Sequence, residues 1–335
     1  YDKAAGDPNL AWLASQGITL SQYHGVTHPS EPNYVAAIGG DHFGIADDAF
    51  YQIPKNVSTV LDLLEEKKIS WGLYQEDMPC SGFEGFAWVN QQNGKNDYVR
   101  KHNPAVIYDS VATVPERLAQ IKNLTLFYTD LEAETLPQWM FITPNMTSDG
   151  HDTSVTTAGS WTRNFVEPLL SDERFMQNTL VLITFDENHT YTIRNNVFAI
   201  LVGDAVPAGL KGTTDSNFYD HYSEISTVEA NWKLNTLGRW DVGANVFKFV
   251  ADKTGDTIRT WKTPDFSTVF LNASYPGFLN KKNATAMEVP NTLLKYAGRA
   301  VSKNIARVWT YRMSYSSYYT SDLEIPDSQH LPKGY

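Results

Sequence analysis

Apolar and polar positions alternate along the first two thirds of the chain in a way that predicts helices and strands in turn. Residues 9–15 form a short helix, stopped by Gly17, and residues 18–23 alternate like a strand. Residues 57–68 carry an amphipathic helical period with acids placed before bases at the end, and residues 69–74 follow as a strand. Residues 75–106 are rich in Gly, Asn, Gln and Pro and predict a long loop, of the kind that is usually functional in a compact domain. Beyond it the pattern predicts a helix over 115–121, a buried strand over 138–143 and a helix over 160–170 interrupted by Pro168. The runs 179–185 and 197–202 are continuously apolar, which fits strands covered on both faces. Residues 222–234 and 245–251 are helical by period, and a last helical stretch is expected over 291–308.

Helix and strand taking turns is the signature of an α/β protein with a mainly parallel sheet sandwiched between helices. After about residue 252 the composition shifts to Thr, Asn, Lys and Tyr. We therefore expect a core over 1–252 and a C-terminal extension over 253–335 packed on it, with the tyrosines of 311–319 serving packing and surface coverage.

Hydrophobic residues make up 42% of the 335 positions, enough for a sizeable core, and the net charge of −11 argues against nucleic-acid or anionic-membrane partners, which want a basic face. The single cysteine, Cys80, excludes an internal disulfide and any multi-cysteine metal cage. Six Asn-x-Ser/Thr sequons (Asn56, Asn123, Asn145, Asn188, Asn272 and Asn283) point to secretion with some of them glycosylated. No apolar run reaches the length of a membrane span. The chain opens at Tyr1 with neither an initiator methionine nor a signal peptide, and so reads as processed or partial.

Candidate chemistry gathers at the ends of the predicted elements. In Thr27-His-Pro-Ser-Glu-Pro-Asn-Tyr34 the prolines make Ser30 an N-cap for a helix over 31–38, which is either an ordinary cap or a hydroxyl at an anion-binding helix end. Asp186 and Glu187 close an apolar strand, where two adjacent acids repel unless a hard divalent cation lies between them; the alternative is a solvated turn. His151, in Asp149-Gly-His-Asp152, and His221, ahead of a helix, are functional or structural histidines on equal terms. Lys101 and His102 end the long loop as a phosphate grip or a charged exit, and His28 and His42 are secondary candidates. Together, a hydroxyl at a helix start, an acid pair after a strand and histidines after two others suit metal-assisted transfer from phosphorus. No Gly-x-Ser-x-Gly elbow occurs.

At these residues the sequence resembles the phosphoesterase family of phospholipases C and acid phosphatases, within the alkaline phosphatase superfamily, and most nearly its secreted fungal acid phosphatases. Five short motifs carry the resemblance in the family's order over residues 1 to about 250: Thr27 to Tyr34, Lys101 to Pro104, Pro144 to Asp152, Phe185 to Asn188 and Tyr219 to Ser223. The resemblance implies an alkaline-phosphatase-like fold and a phosphate-monoester hydrolase working through a phosphoseryl intermediate on Ser30 with divalent metal assistance. It implies Asp186, Glu187 and Ser30 as metal ligands, and His151 and His221 near the phosphate or a second metal. Lys101, His102 and Asn33 fall at the substrate. It also implies an acidic strand ahead of Tyr1, and a bare Asn188, because a glycan there would crowd the site. A phospholipase C-type phosphodiesterase and a non-catalytic glycoprotein that kept the fold are the alternatives.

Overall fold

The computed structural model describes residues 1–260, 276–310 and 317–324. Strand β1 (Ile18–His24) is central to a four-stranded sheet in the order β7-β8-β1-β9, with β7 at Val181–Ile183, β8 at Ala199–Val202 and β9 at Thr213–Asp220. It runs parallel to β9 and antiparallel to β8. A second sheet is wholly parallel, in the order β5-β2-β6, with β2 at Trp71–Gln75, β5 at Ile121–Asn123 and β6 at Trp139–Thr143. Between β2 and β5 lies a small hairpin of β3 (Ala87–Val89) and β4 (Asn96–Val99), so the expected 75–106 loop has a structured middle.

Helices cover these sheets. The helix Ser30–Gly39 is buried along nearly its whole length and packs Val35 and Ile38 into the largest apolar cluster, together with Leu61, Leu64, Leu73 and Ile107. Its start differs from expectation by one residue: Pro29 takes the cap position and Ser30 is the first helical residue. The helix Val60–Glu66 is shorter than the 57–68 period suggests, because Thr59 and Asp62 form a capping box that sets its start. On the second cluster, β1 and β8 pack Leu20, Tyr23 and Leu201 against Phe247 and against Val250 of the helix Lys248–Thr254.

Several expectations need correction. The strand at 138–143 is not buried as expected, and the run 179–185 does not form a strand covered on both faces. Strands β6 and β7 each end a sheet, and Trp139, Phe141, Val181 and Ile183 remain half-buried. Continuous helix over 291–308 is also wrong. Ala297 and Gly298 have φ of 48° and 81°, turning a two-residue hairpin, and helix begins only at Lys303–Trp309. Residues 125–132 and 213–220, which carry no clear period, are helix and strand. Of the tyrosine-rich tail, residues 311–316 lie outside the described ones. Tyr318 and Tyr319 are buried against Trp240, and both hydroxyls bond Asp41.

Candidate active site

Ser30 sits 4% exposed at the first turn of its helix, where the helix dipole favours an anion. Its Oγ lies 3.5 Å from Glu187 Oε1, so two residues 157 apart in sequence meet at one point. Two local devices make that meeting possible. Asn33, fully buried, accepts the N–H groups of Val26 and Thr27 and donates to the carbonyls of Thr27 and Pro29, folding the preceding loop over its own helix. Its amide is thereby committed to that loop. Gly25 lets β1 end against the other half: a Cβ there would stand 2.6 Å from the Asp186 carbonyl oxygen and 2.8 Å from Asn195 Nδ2.

The acid pair is held in place from behind. Asp186 Oδ1 accepts the Glu187 N–H, and the Asp186 carbonyl accepts a 2.7 Å hydrogen bond from His221 Nε2. His221 Nδ1 lies 3.1 Å from Glu224 Oε1 and from the Tyr23 hydroxyl, which itself donates to Glu224. Burial opposes charge on this imidazole, but the Glu224 carboxylate and the Asp186 carbonyl outweigh it and raise its pKa. Both His221 nitrogens are thus engaged by the protein. Asn195, unremarked in the sequence, ties the halves together: its Oδ1 accepts the Asn188 N–H at 2.7 Å and its Nδ2 donates to the Thr27 carbonyl at 3.0 Å. His28 adds a second tie, donating from Nε2 to the Asn188 carbonyl at 2.8 Å with Glu187 Oε2 3.5 Å away.

Burial, the Asp186 charge and the Asp48 charge push the Glu187 carboxyl up to about 9, against weaker lowering by Lys101 and Ser30. Glu187 Oε2 and Asp186 Oδ2 are buried without a hydrogen bond. Unsatisfied oxygens beside a hydroxyl are the donor set that a hard divalent cation takes. Among the described residues, however, no three His, Cys, Asp or Glu side chains converge as a complete cage.

Lys101 reaches this centre through Asp48. Its Nζ is 2.8 Å from Asp48 Oδ2, while Asp48 Oδ1 accepts the N–H of Glu31, the residue after Ser30. His102 stacks on Tyr34 with ring centroids 4.9 Å apart, and its Nδ1 is 3.4 Å from Asp149 Oδ2. Its Nε2 is buried without a partner. His151 is exposed, its ring 5.9 Å from that of His102. Tyr34 feels the charge of both groups. Burial comes first in raising its hydroxyl well above the usual range, followed by Asp186, Asp149, Glu187 and Asp48. His42 is turned away, accepting the Gly44 N–H within its own loop. Of the sequons, Asn188 is buried, Asn56, Asn123 and Asn145 are half-buried, Asn283 is exposed, and Asn272 lies outside the described residues.

Sequence reasoning passed over Asp48, Tyr23, Glu224 and Asn195. None belongs to a motif, and only Asp48, close after the Ser30 helix, carried any signal as an acid near a candidate nucleophile.

The profile of the phosphoesterase family matches residues 4–235. A "Probable acid phosphatase" of Kluyveromyces lactis is 50% identical over 325 residues, covering 96% of this chain and 76% of that protein. An acid phosphatase of Aspergillus fumigatus is 55% identical over 277 residues, 83% of this chain and 61% of its own length. A phosphate-repressible acid phosphatase of Penicillium chrysogenum is 50% identical over 311 residues, 92% of this chain and 74% of its own.

Proposed function

This chain belongs to the phosphoesterase family, and from that membership we propose that it is an acid phosphatase, cleaving small phosphate monoesters through a phosphoseryl intermediate on Ser30. The observation that carries this reading is the approach of Ser30 Oγ, at a helix N-terminus, to the Glu187 carboxylate. A phosphoryl group seated there meets the positive helix end and the Lys101 ammonium, which Asp48 anchors beside it. His102 Nε2, buried and unpartnered, would bond a phosphoryl oxygen in this reading.

The reaction follows from these positions. The Ser30 Oγ–P bond forms as the ester P–O bond breaks; the serine proton is lost and the departing oxygen gains one. Water then forms a new O–P bond, the Oγ–P bond breaks, the serine regains its proton and inorganic phosphate leaves. His221 acts from behind, holding the Asp186 carbonyl and hence the acid pair. Ser30, Asp186 and Glu187 would hold a divalent ion, whose charge when bound lowers the pKa of the hydroxyl and neutralises phosphoryl oxygens. Secretion is supported by the sequons, with Asn283 the most accessible described acceptor.

Ser30→Ala should reduce release of p-nitrophenol from its phosphate by roughly 10³- to 10⁶-fold, the upper figure being what loss of a serine nucleophile can cost. Wild-type protein quenched in acid should yield a phosphorylated Ser30 peptide, and elemental analysis should find a divalent ion that Asp186→Ala loses. Undiminished turnover by Ser30→Ala would remove Ser30 from the mechanism.

A further inference from the structure

The sequons look alike in sequence, but the fold uses them in different ways. Degree of exposure does not separate them, since Asn56, Asn123 and Asn145 are all half-buried. The side-chain nitrogen does, because an N-linked glycan is joined to that atom. A glycan takes one of the two hydrogens on Nδ2 and needs a clear path outward from it. An amide nitrogen already packed on a protein oxygen is therefore a poor acceptor.

Two of these amides are committed to the fold. Asn145 Nδ2 donates to Asp77 Oδ2 at 2.5 Å, its Oδ1 accepts the N–H groups of Thr147 and Ser148, and its own N–H donates to Glu76 Oε2. It thereby ties the loop that carries His151 to the segment just beyond β2. Asn123 Nδ2 donates to the Met78 carbonyl at 2.5 Å, and its Oδ1 accepts the N–H and the hydroxyl of Thr125. Both amides thus grip one turn, Asp77-Met78, where Asp77 holds a φ of 56°. Asn56 and Asn283 differ: neither side chain has a hydrogen-bond partner among the described residues. Each lies in a turn. Asn56 sits in one closed by the Val57 N–H on the Pro54 carbonyl, and the exposed Asn283 donates its backbone N–H to Asn280 Oδ1.

We propose that Asn56 and Asn283 carry N-linked glycans, and that Asn123 and Asn145 are bare structural pins for the turn after β2. The proposal rests on the reading of the chain as secreted. It corrects the expectation that Asn123 and Asn145 are modified, on the ground that their Nδ2 atoms face protein oxygens. A chain glycosylated at either pin before folding could not close these bonds and would not reach the folded, exported pool.

The test sends the full chain through a yeast secretory pathway behind the host's own leader. Peptides of the exported protein are then treated with an N-glycosidase in heavy-oxygen water, which marks each formerly glycosylated asparagine as a labelled aspartate. Label should appear at Asn56 and Asn283 and be absent from Asn123 and Asn145. A missing label at either of the first two, or a label at either of the last two, would overturn the proposal. Because the leader supplies export, this result does not depend on the route of the native protein; native protein confined to the inside of its cell would overturn the secretion reading by itself. The pin role is read separately on glycan-free chain from a bacterial host. Asn56→Gln and Asn283→Gln should leave Tm within about 1 °C of wild type. Asn123→Gln and Asn145→Gln should each lower Tm by more than about 3 °C or yield no folded protein. Pin variants as stable as the two surface variants would overturn that role.

Discussion

Replacing Asn195 with alanine should disable the site without touching any group that meets the phosphate. The side chain is fully buried and makes two hydrogen bonds, accepting the Asn188 N–H at 2.7 Å and donating to the Thr27 carbonyl at 3.0 Å. Truncation leaves both backbone groups buried and unpaired, each at a cost of about 1–3 kcal/mol. The expected loss of stability is therefore roughly 2–5 kcal/mol. The bridge also fixes the loop that carries Ser30 relative to the one that carries Glu187. A shift of about 1 Å between them is enough for a rate loss on the order of 10²-fold. Urea unfolding gives the first quantity. Steady-state hydrolysis of p-nitrophenyl phosphate, at a urea-free temperature where the variant stays folded, gives the second. Asn195→Asp keeps the acceptor for Asn188 but loses the donor to Thr27 and buries a carboxyl near the acid pair, so it should be no less disabling than alanine. A variant within about 0.5 kcal/mol of wild type and within twofold in kcat would refute the view that this residue couples the two halves.

Two further outcomes follow from buried positions. Gly25→Ala places a Cβ 2.6 Å from the Asp186 carbonyl oxygen, so the acid-bearing loop must move; stability should drop by about 1–3 kcal/mol and kcat more than about tenfold, while an active, equally stable variant would mean that the loop yields freely. Asp220, the buried N-cap of the helix His221–Trp232, is pushed up to about 7, chiefly by burial, with His221 and the Tyr222 and Ser223 N–H groups pulling the other way. A carboxyl raised on folding contributes fully below its unfolded pKa, near 4, and loses that contribution as pH rises toward the folded value. Asp220→Asn caps equally well and cannot ionise, so its stability relative to wild type should improve by roughly 2–4 kcal/mol from pH 4 to pH 7; parallel pH profiles from chemical denaturation would contradict the assignment.

What the sequence settled by itself was local. Strand β1, the helix beginning at Ser30, the helix after Thr59 and the strand Trp71–Gln75 all lie where periodicity, proline and capping residues point, because those signals act over one or two turns of chain. The Thr27-His-Pro-Ser motif and the Asp186 and Glu187 pair were visible for the same reason: each is a cluster of chemistry at the end of an apolar run. Tertiary structure decided whatever depended on distant partners. The run 179–185 reads as fully covered, and only sheet order makes it a half-exposed edge. Nothing near Asn195 in sequence says that it spans Thr27 and Asn188, or that Asp48 carries Lys101 to the Ser30 helix. A hydrogen-bonding residue has the same composition and neighbours whether its amide faces water or bridges two loops. Its role is fixed by what folding brings within 3 Å, and that is a property of the whole chain.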